Sequence, residues 1–285
     1  MQTLTESEAY LRSELQAIER WESEQKDLWF WEKLGRLPFA MLDKVTPKIV
    51  HEKIGAALDE IGSFVQTGGQ YLVSEKAIVS LVEKESLGKE GVVGFTLDQV
   101  RQAPLDAMDR TADALTESRA NLATAQGATT GFGGLFTLAI DIPAVLGLSL
   151  KVLQEMALCY GYDPQEKRER AFIVKCLQFA SSDVVGKKAV LDDLDRIAAA
   201  RSGQGDEGGE RAAMSQLQGW REVIAGYRDN FGWKKLFQLV PIAGMVFGAY
   251  INRSTLKDVA EAGKMLYRKR RIMERLAASQ SGNQA

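Results

Sequence analysis

The sequence predicts an all-α protein: a multi-helix, bundle-like domain with two central apolar helical segments that contain glycine and proline. Three observations carry that prediction. Apolar residues recur at three- and four-residue steps in segment after segment. Short polar intervals with capping residues separate the segments, which implies antiparallel neighbours. Two apolar stretches, 131–150 and 236–251, stand out from an otherwise polar chain.

Composition narrows the function classes. The 285 residues include 36 basic and 38 acidic side chains, a net charge of −2. That length can bury one large core or two small ones. The balance gives no global attraction to nucleic acid, and none is expected as a partner. Cys159 and Cys176 both lie in apolar helical contexts and are expected to be reduced core residues of a cytosolic protein. The first twenty residues are polar and acidic, so no signal peptide is expected. The single histidine, His51, excludes a multi-histidine metal site and would have to serve any Ser-His-Asp or Cys-His triad. In the stretch TPKIVHEKI it is expected at the surface or its boundary. No metal and no cofactor are expected.

Taken in order, the chain opens with Thr5-Glu6-Ser7-Glu8, a capping-box pattern. Tyr10, Leu11, Leu15, Ile18 and Trp21 follow at helical spacing, and Trp29, Phe30 and Trp31 cluster after them. Residues 1–35 are therefore expected to form an N-terminal amphipathic helix laid on the body, with membrane-interface anchoring by the tryptophans as the alternative. Thr46-Pro47 opens a second helix with Ile49, Val50, Ile54, Leu58, Ile61 and Val65 on its apolar face. A short helix from Tyr71 to Leu87 comes next, then a loop marked by Gly88, Gly91 and Gly94. Thr96-Leu97-Asp98-Gln99 caps another helix, and Pro104 interrupts or restarts it. Residues 106–124 read as helix. Gly127, Gly131, Gly133 and Gly134 lack the Lys and Ser/Thr of a phosphate loop, so a turn or close helix packing is expected of them.

The stretch from Gly131 to Leu150 carries one formal charge, Asp141. Its length suits a membrane span, but a midplane carboxylate and Pro143 argue against one. Asp141 is expected to be an N-cap, with Pro143 in the first turn and a helix from Ile142 to Tyr160. The sharper alternative is a working carboxylate. Gly161 is a natural helix stop, and Asp163-Pro164-Gln165-Glu166 reads as cap, N1, N2 and N3 of the next helix. Phe172, Ile173, Cys176, Leu177 and Phe179 form a buried stripe, and residues 183–200 form another helix. SGQGDEGG, 202–209, is expected to be a flexible linker within one body spanning 36–277. A polar helix over 210–227 follows. The second apolar stretch holds Pro241 and the pair Gly244 and Gly248. Asn252 and Ser254 are expected to cap the last helix, 255–277, and 278–285 to be a disordered tail.

At several of these residues the chain resembles a bacterial family, the EcsC family. The carriers are Gly133-Gly134, Asp141-Ile142-Pro143, Ser149 to Leu158, and Cys159-Tyr160-Gly161-Tyr162-Asp163-Pro164. Near the C-terminus they are Lys235-Leu236, Val240 to Gly244, Gly248-Ala249 and Asn252. The resemblance runs roughly from Trp21 to Arg271. It implies a bacterial cytoplasmic or membrane-associated protein linked to transport or secretion, and it names no catalytic residue.

Three functional readings follow. The first is a non-enzymatic, membrane-associated accessory protein, peripheral at the inner face of the cell membrane. Lys264, Arg268, Lys269, Arg270, Arg271 and Arg275 form the one strong charge asymmetry in the chain. They would contact an anionic membrane surface or a membrane protein partner; the plainer reading is a solvated basic helix end. The second is a hydrolase drawing on Asp141, Glu155 or Asp163. On one helix Asp141 and Glu155 lie about 21 Å apart, too far to act as a direct pair. The third is a soluble helical scaffold whose apolar stretches are buried core.

Overall fold

The computed structural model describes residues 6–25, 73–88, 94–131, 135–182, 184–199 and 241–282. Several expectations lie outside them: the cluster at Trp29, Phe30 and Trp31, the helix opened by Thr46-Pro47 with His51, the 202–209 linker and the 210–227 helix. Among the described residues every element is a helix. They are α1 (Glu8–Glu24), α2 (Glu75–Leu87), α3 (Leu97–Arg101), α4 (Leu105–Gly131), α5 (Leu135–Cys159), α6 (Lys167–Ser181), α7 (Val184–Ala199) and α8 (Pro241–Gly282).

Local chemistry sets many of the helix ends. Ser7, not Thr5, caps α1 by accepting from the Tyr10 N–H. Ser74 caps α2 in the same way. The expected capping box at Thr96 and Gln99 is present and starts α3. Pro104 ends that short turn and α4 begins at the next residue. At the far end of α5, Gly161 takes φ +77°, a conformation that suits glycine. Tyr162 N–H then bonds Ala157 O at 2.9 Å and Gly161 N–H bonds Leu158 O at 3.0 Å, which closes the helix with a Schellman motif. The next helix starts later than the sequence suggested. Asp163 accepts the Gln165 N–H in a turn, and α6 begins at Lys167.

The architecture is built on α8 and α4, which pack antiparallel along much of their length. Over 42 residues α8 extends about 63 Å. Pro241 occupies its first position, where a missing N–H costs nothing. Asn252 and Ser254 are therefore helix interior and not caps. The helix also runs to Gly282, so 278–282 continues it instead of starting a tail. α5 lies against both α4 and α8, α6 packs on α5 and α8, and α1 lies along α8. One apolar core joins them, with Met108, Leu146, Leu150, Leu153, Met156, Ile173, Leu177, Val259 and Tyr267 among its buried members. Cys159 and Cys176 are free, buried members of it.

Gly127 lies inside α4, so close helix packing, not a turn, explains it. A Cβ there would fall 2.2 Å from Gly248 O and 2.9 Å from Ala249 N on α8. Backbone meets backbone at this crossing. Gly127→Ala must push the two helices apart, and we expect it to destabilise the fold by about 1–3 kcal/mol. A shift in the urea midpoint at constant slope is the readout; an unchanged midpoint would contradict the contact.

Candidate functional site

The three carboxylates singled out in the sequence sit in three separate environments. Asp141 is 0% exposed. α5 starts six residues before it, so it is no N-cap, and Pro143 falls inside the helix, where it forfeits a backbone bond. Its Oδ1 accepts from Asn252 Nδ2 at 2.8 Å and from Thr130 Oγ1 at 2.7 Å. Thr130 belongs to α4 and Asn252 to α8, so one oxygen ties three helices together. Tertiary hydrogen bonds replace the cap that local sequence suggested. The glycine crossing at Gly127 and Gly248 lies beside this centre in sequence and lets α4 and α8 come close enough to share it.

Glu155 is 1% exposed and sits four turns further along α5. Arg119 of α4 grips it with two nitrogens, Nε at 2.8 Å from Oε2 and Nη2 at 2.7 Å from Oε1. Lys151 adds a weaker approach at 3.7 Å. The carboxylate in turn holds Arg119 above its ordinary pKa, chiefly by hydrogen bonding. Asp163 is spent on its turn, with Oδ1 2.8 Å from Gln165 N. The structure brings none of the three together.

The six basic residues near the C-terminus are not a solvated end. Each has a partner on another helix or at a turn. Lys264 meets Asp113 at 2.6 Å. Arg268 bonds Asp109 through Nε and Glu14 through Nη2. Lys269 meets both oxygens of Glu22, at 2.8 and 2.9 Å. Arg270 forks onto Glu169 and stacks 4.0 Å above the Tyr162 ring. Arg271 gives two N–H groups to Tyr160 O, at 2.9 and 2.6 Å, and a third to Glu274. Arg275 pairs with Glu6 and reaches the carbonyls of Arg101 and Ala103. Burial pulls the Arg271 guanidinium below its ordinary pKa; burial also works against Arg270, but Glu169 outweighs it.

These partners converge on the turn that ends α5. Arg271 holds its carbonyl at Tyr160, and Arg101 Nε donates to Gly161 O at 2.7 Å. Tyr160 OH donates to Asp109 at 2.6 Å, on the carboxylate that also binds Arg268. The seam is structural chemistry: charged donors satisfying carbonyls and carboxylates that packing has removed from water.

Sequence reasoning missed Thr130, Arg119, Asp109, Glu169, Glu14 and Glu22. One signal could have found part of the set. Asp109, Asp113 and Glu117 recur at four-residue steps on α4, and Arg253, Lys257, Lys264 and Arg268 recur on α8. Antiparallel pairing of those two rows gives the observed contacts.

Removing the Asn252 amide takes a hydrogen bond from a buried carboxylate. Asn252→Ala is therefore expected to cost about 1.5–3 kcal/mol in urea unfolding; a neutral result would contradict the tie. Stability should also fall in alkali. Burial raises the Cys159 and Cys176 thiols and the Tyr160 and Tyr267 phenols above their ordinary values. A group with a raised folded pKa stabilises fully below its unfolded pKa and loses that contribution as pH rises toward the folded one. The loss should begin at the ordinary thiol value, 9.0. Urea midpoints measured across that value check it, and Cys159→Ala with Cys176→Ala should remove part of the loss.

Comparison with known proteins places the chain. The model of the EcsC protein family matches residues 12–272. An uncharacterized protein of Bacillus subtilis (strain 168), YdbA, is 58% identical over 272 residues, which span 95% of this chain and 96% of that protein. Protein EcsC of the same organism is 23% identical over 252 residues, 88% of this chain and 90% of its own length. No solved structure matches. With a family match over nearly its whole length and a relative of high identity, the chain belongs to the EcsC protein family.

Proposed function

We propose that this EcsC-family chain is a non-enzymatic, membrane-associated accessory protein that docks through the first turns of α8. One observation carries the reading. Met245, Val246 and Tyr250 are 39%, 70% and 70% exposed and cluster within two turns at the apolar start of a helix on which Ile251, Leu256, Val259, Leu266, Tyr267 and Ile272 are buried. A tyrosine beside aliphatic side chains suits the boundary between headgroups and acyl chains. Among the described residues no helix is long and apolar enough to cross a membrane, so the proposed contact is peripheral. The non-enzymatic part draws support from the carboxylates: Asp141, Glu155 and Asp163 each serve a structural partner. The link to transport or secretion that the family resemblance implies belongs to the same proposal, as docking at the inner face of the cell membrane beside a membrane protein.

A soluble helical scaffold is the second reading. Burial of Val145, Leu146, Leu148 and Leu150 favours it, because that part of the first apolar stretch is core. The two readings separate in a flotation assay with neutral phosphatidylcholine vesicles. We expect the purified protein to float, to resist high salt, and to lose most binding in the variant Val246→Asp with Tyr250→Asp. A wild-type protein that stays at the bottom of the gradient would favour the scaffold.

A further inference from the structure

The basic stripe of α8 is neutral only because other parts of the chain cover it. Its partners fall into three groups, the first being Asp113 and Asp109 of α4, which hold Lys264 and Arg268. Arg270 and Arg271 are committed to the core, to Glu169, to Tyr160 O and to the Tyr162 ring. Arg268, Lys269 and Arg275 also meet α1 and the residue just before it, through Glu14, Glu22 and Glu6, while Arg268 keeps Asp109 and Arg275 keeps the carbonyls of Arg101 and Ala103. α1 runs antiparallel to α8, and its Glu14 and Glu22, with Glu6 just before it, match three cations. Its apolar attachment is small: Leu11 and Ile18 are buried, while Leu15 and Trp21 are partly so. Trp21 adds one hydrogen bond to Glu261 at 2.7 Å. Against the described residues α1 packs chiefly on α8.

The covered stripe also continues the exposed apolar end. Val246 and Lys264, and likewise Tyr250 and Arg268, are separated by about five whole helical turns, so each pair lies on one side of α8. Apolar side chains thus begin a face whose farther half is cationic, held by α4 at Lys264 and shared between α4 and α1 at Arg268.

We propose that this face is a docking surface for an anionic membrane, and that α1 is an acidic strap occupying its cationic half. The inference rests on the membrane-association reading but concerns a different lipid and different residues. With α1 in place, the protein meets lipid by its apolar end alone. With α1 lifted, Lys269, Arg275 and the outer part of Arg268, flanked by Lys264, join that contact. A flat anionic surface suits the face because Val246, Tyr250, Lys264, Arg268 and Arg275 fall within about 40° of one another around one continuous helix, with Lys269 reaching it from about 100° round the same helix.

The test uses full-length protein and vesicles of phosphatidylcholine with and without phosphatidylglycerol. Leu11→Asp with Ile18→Asp loosens α1 while adding negative charge, so any gain in anionic binding cannot come from charge added by the mutation. Faster tryptic cleavage at Arg12 and Arg20 reports the release, and a cooperative circular-dichroism melt reports that the body stays folded. If the aspartates unfold the body, Glu14→Gln with Glu22→Gln loosens the strap through its ion pairs. Wild-type binding should gain nothing from phosphatidylglycerol. The loosened protein should bind such vesicles roughly tenfold or more tightly, lose the gain in high salt, and lose it with Lys269→Ala and Arg275→Ala. A folded, released variant that gains no anionic binding would overturn the proposal. So would a gain that survives the two alanines, a wild type already salt-sensitive to the same degree, or a released chain that only self-associates by exchanging α1. Failure of the apolar-end reading shows separately, as no flotation on neutral vesicles.

Discussion

Backbone contact between Gly127 and Gly248 sets the spacing on which the rest of this bundle depends. No side chain separates α4 from α8 at that crossing. Close approach there brings Thr130 and Asn252 within reach of one oxygen of Asp141, so that α5 is tied to both helices at a single buried point. Farther along the pair, the same antiparallel alignment sets Glu117 against Arg253 and Lys257, Asp113 against Lys264, and Asp109 against Arg268. The outer rungs of this ladder are exposed and add little. The inner rung is largely buried and carries Tyr160 as well, so it joins the end of α5 to α8.

Charge has a consistent logic through the molecule. A chain of net charge −2 concentrates six cations near its C-terminus and then surrounds them with acids drawn from α1, α4 and α6. Buried ion pairs of this kind add little net stability over apolar packing, but losing one partner is costly. They therefore specify which helix lies against which. Glu155 with Arg119 fixes α5 on α4, and Glu169 with Arg270 fixes α6 on α8. Arg271 and Arg101 satisfy the carbonyls of a turn that a glycine at positive φ makes sharp.

Much of the fold was legible in the sequence, because it follows from local rules. The all-α class, the capping box at Thr96, the stop at Gly161, the buried stripe of α6 and the burial of both cysteines follow from periodicity, capping and composition. The errors share one cause: tertiary contacts overrode local preference. Asp141 beside Pro143 reads as a helix start, yet its carboxylate finds donors on two other helices and the helix begins earlier. Asn252 and Ser254 read as caps, yet packing against α4 carries α8 unbroken through them. Six clustered cations read as a solvated end because their acidic partners lie more than a hundred residues away in several cases, beyond any local window. Asp141 was singled out as a residue of interest, and the structure gives it a structural role at a junction. Thr130, which completes that junction, carries no signal of its own.

The central claim is that α4, α5 and α8 form one cooperative unit organised around a glycine crossing and a buried polar tie, with α1 strapped on from outside. Native-state hydrogen exchange on the full-length protein tests it most directly. We expect the amides of α4 around Ala112 to Ala123, of α5 around Val152 to Leu158 and of α8 around Leu256 to Tyr267 to exchange only through global unfolding, with one common free energy. Amides of α1 should open at distinctly lower cost. Exchange of α8 in advance of α1, or separate opening energies for α4 and α8, would contradict it.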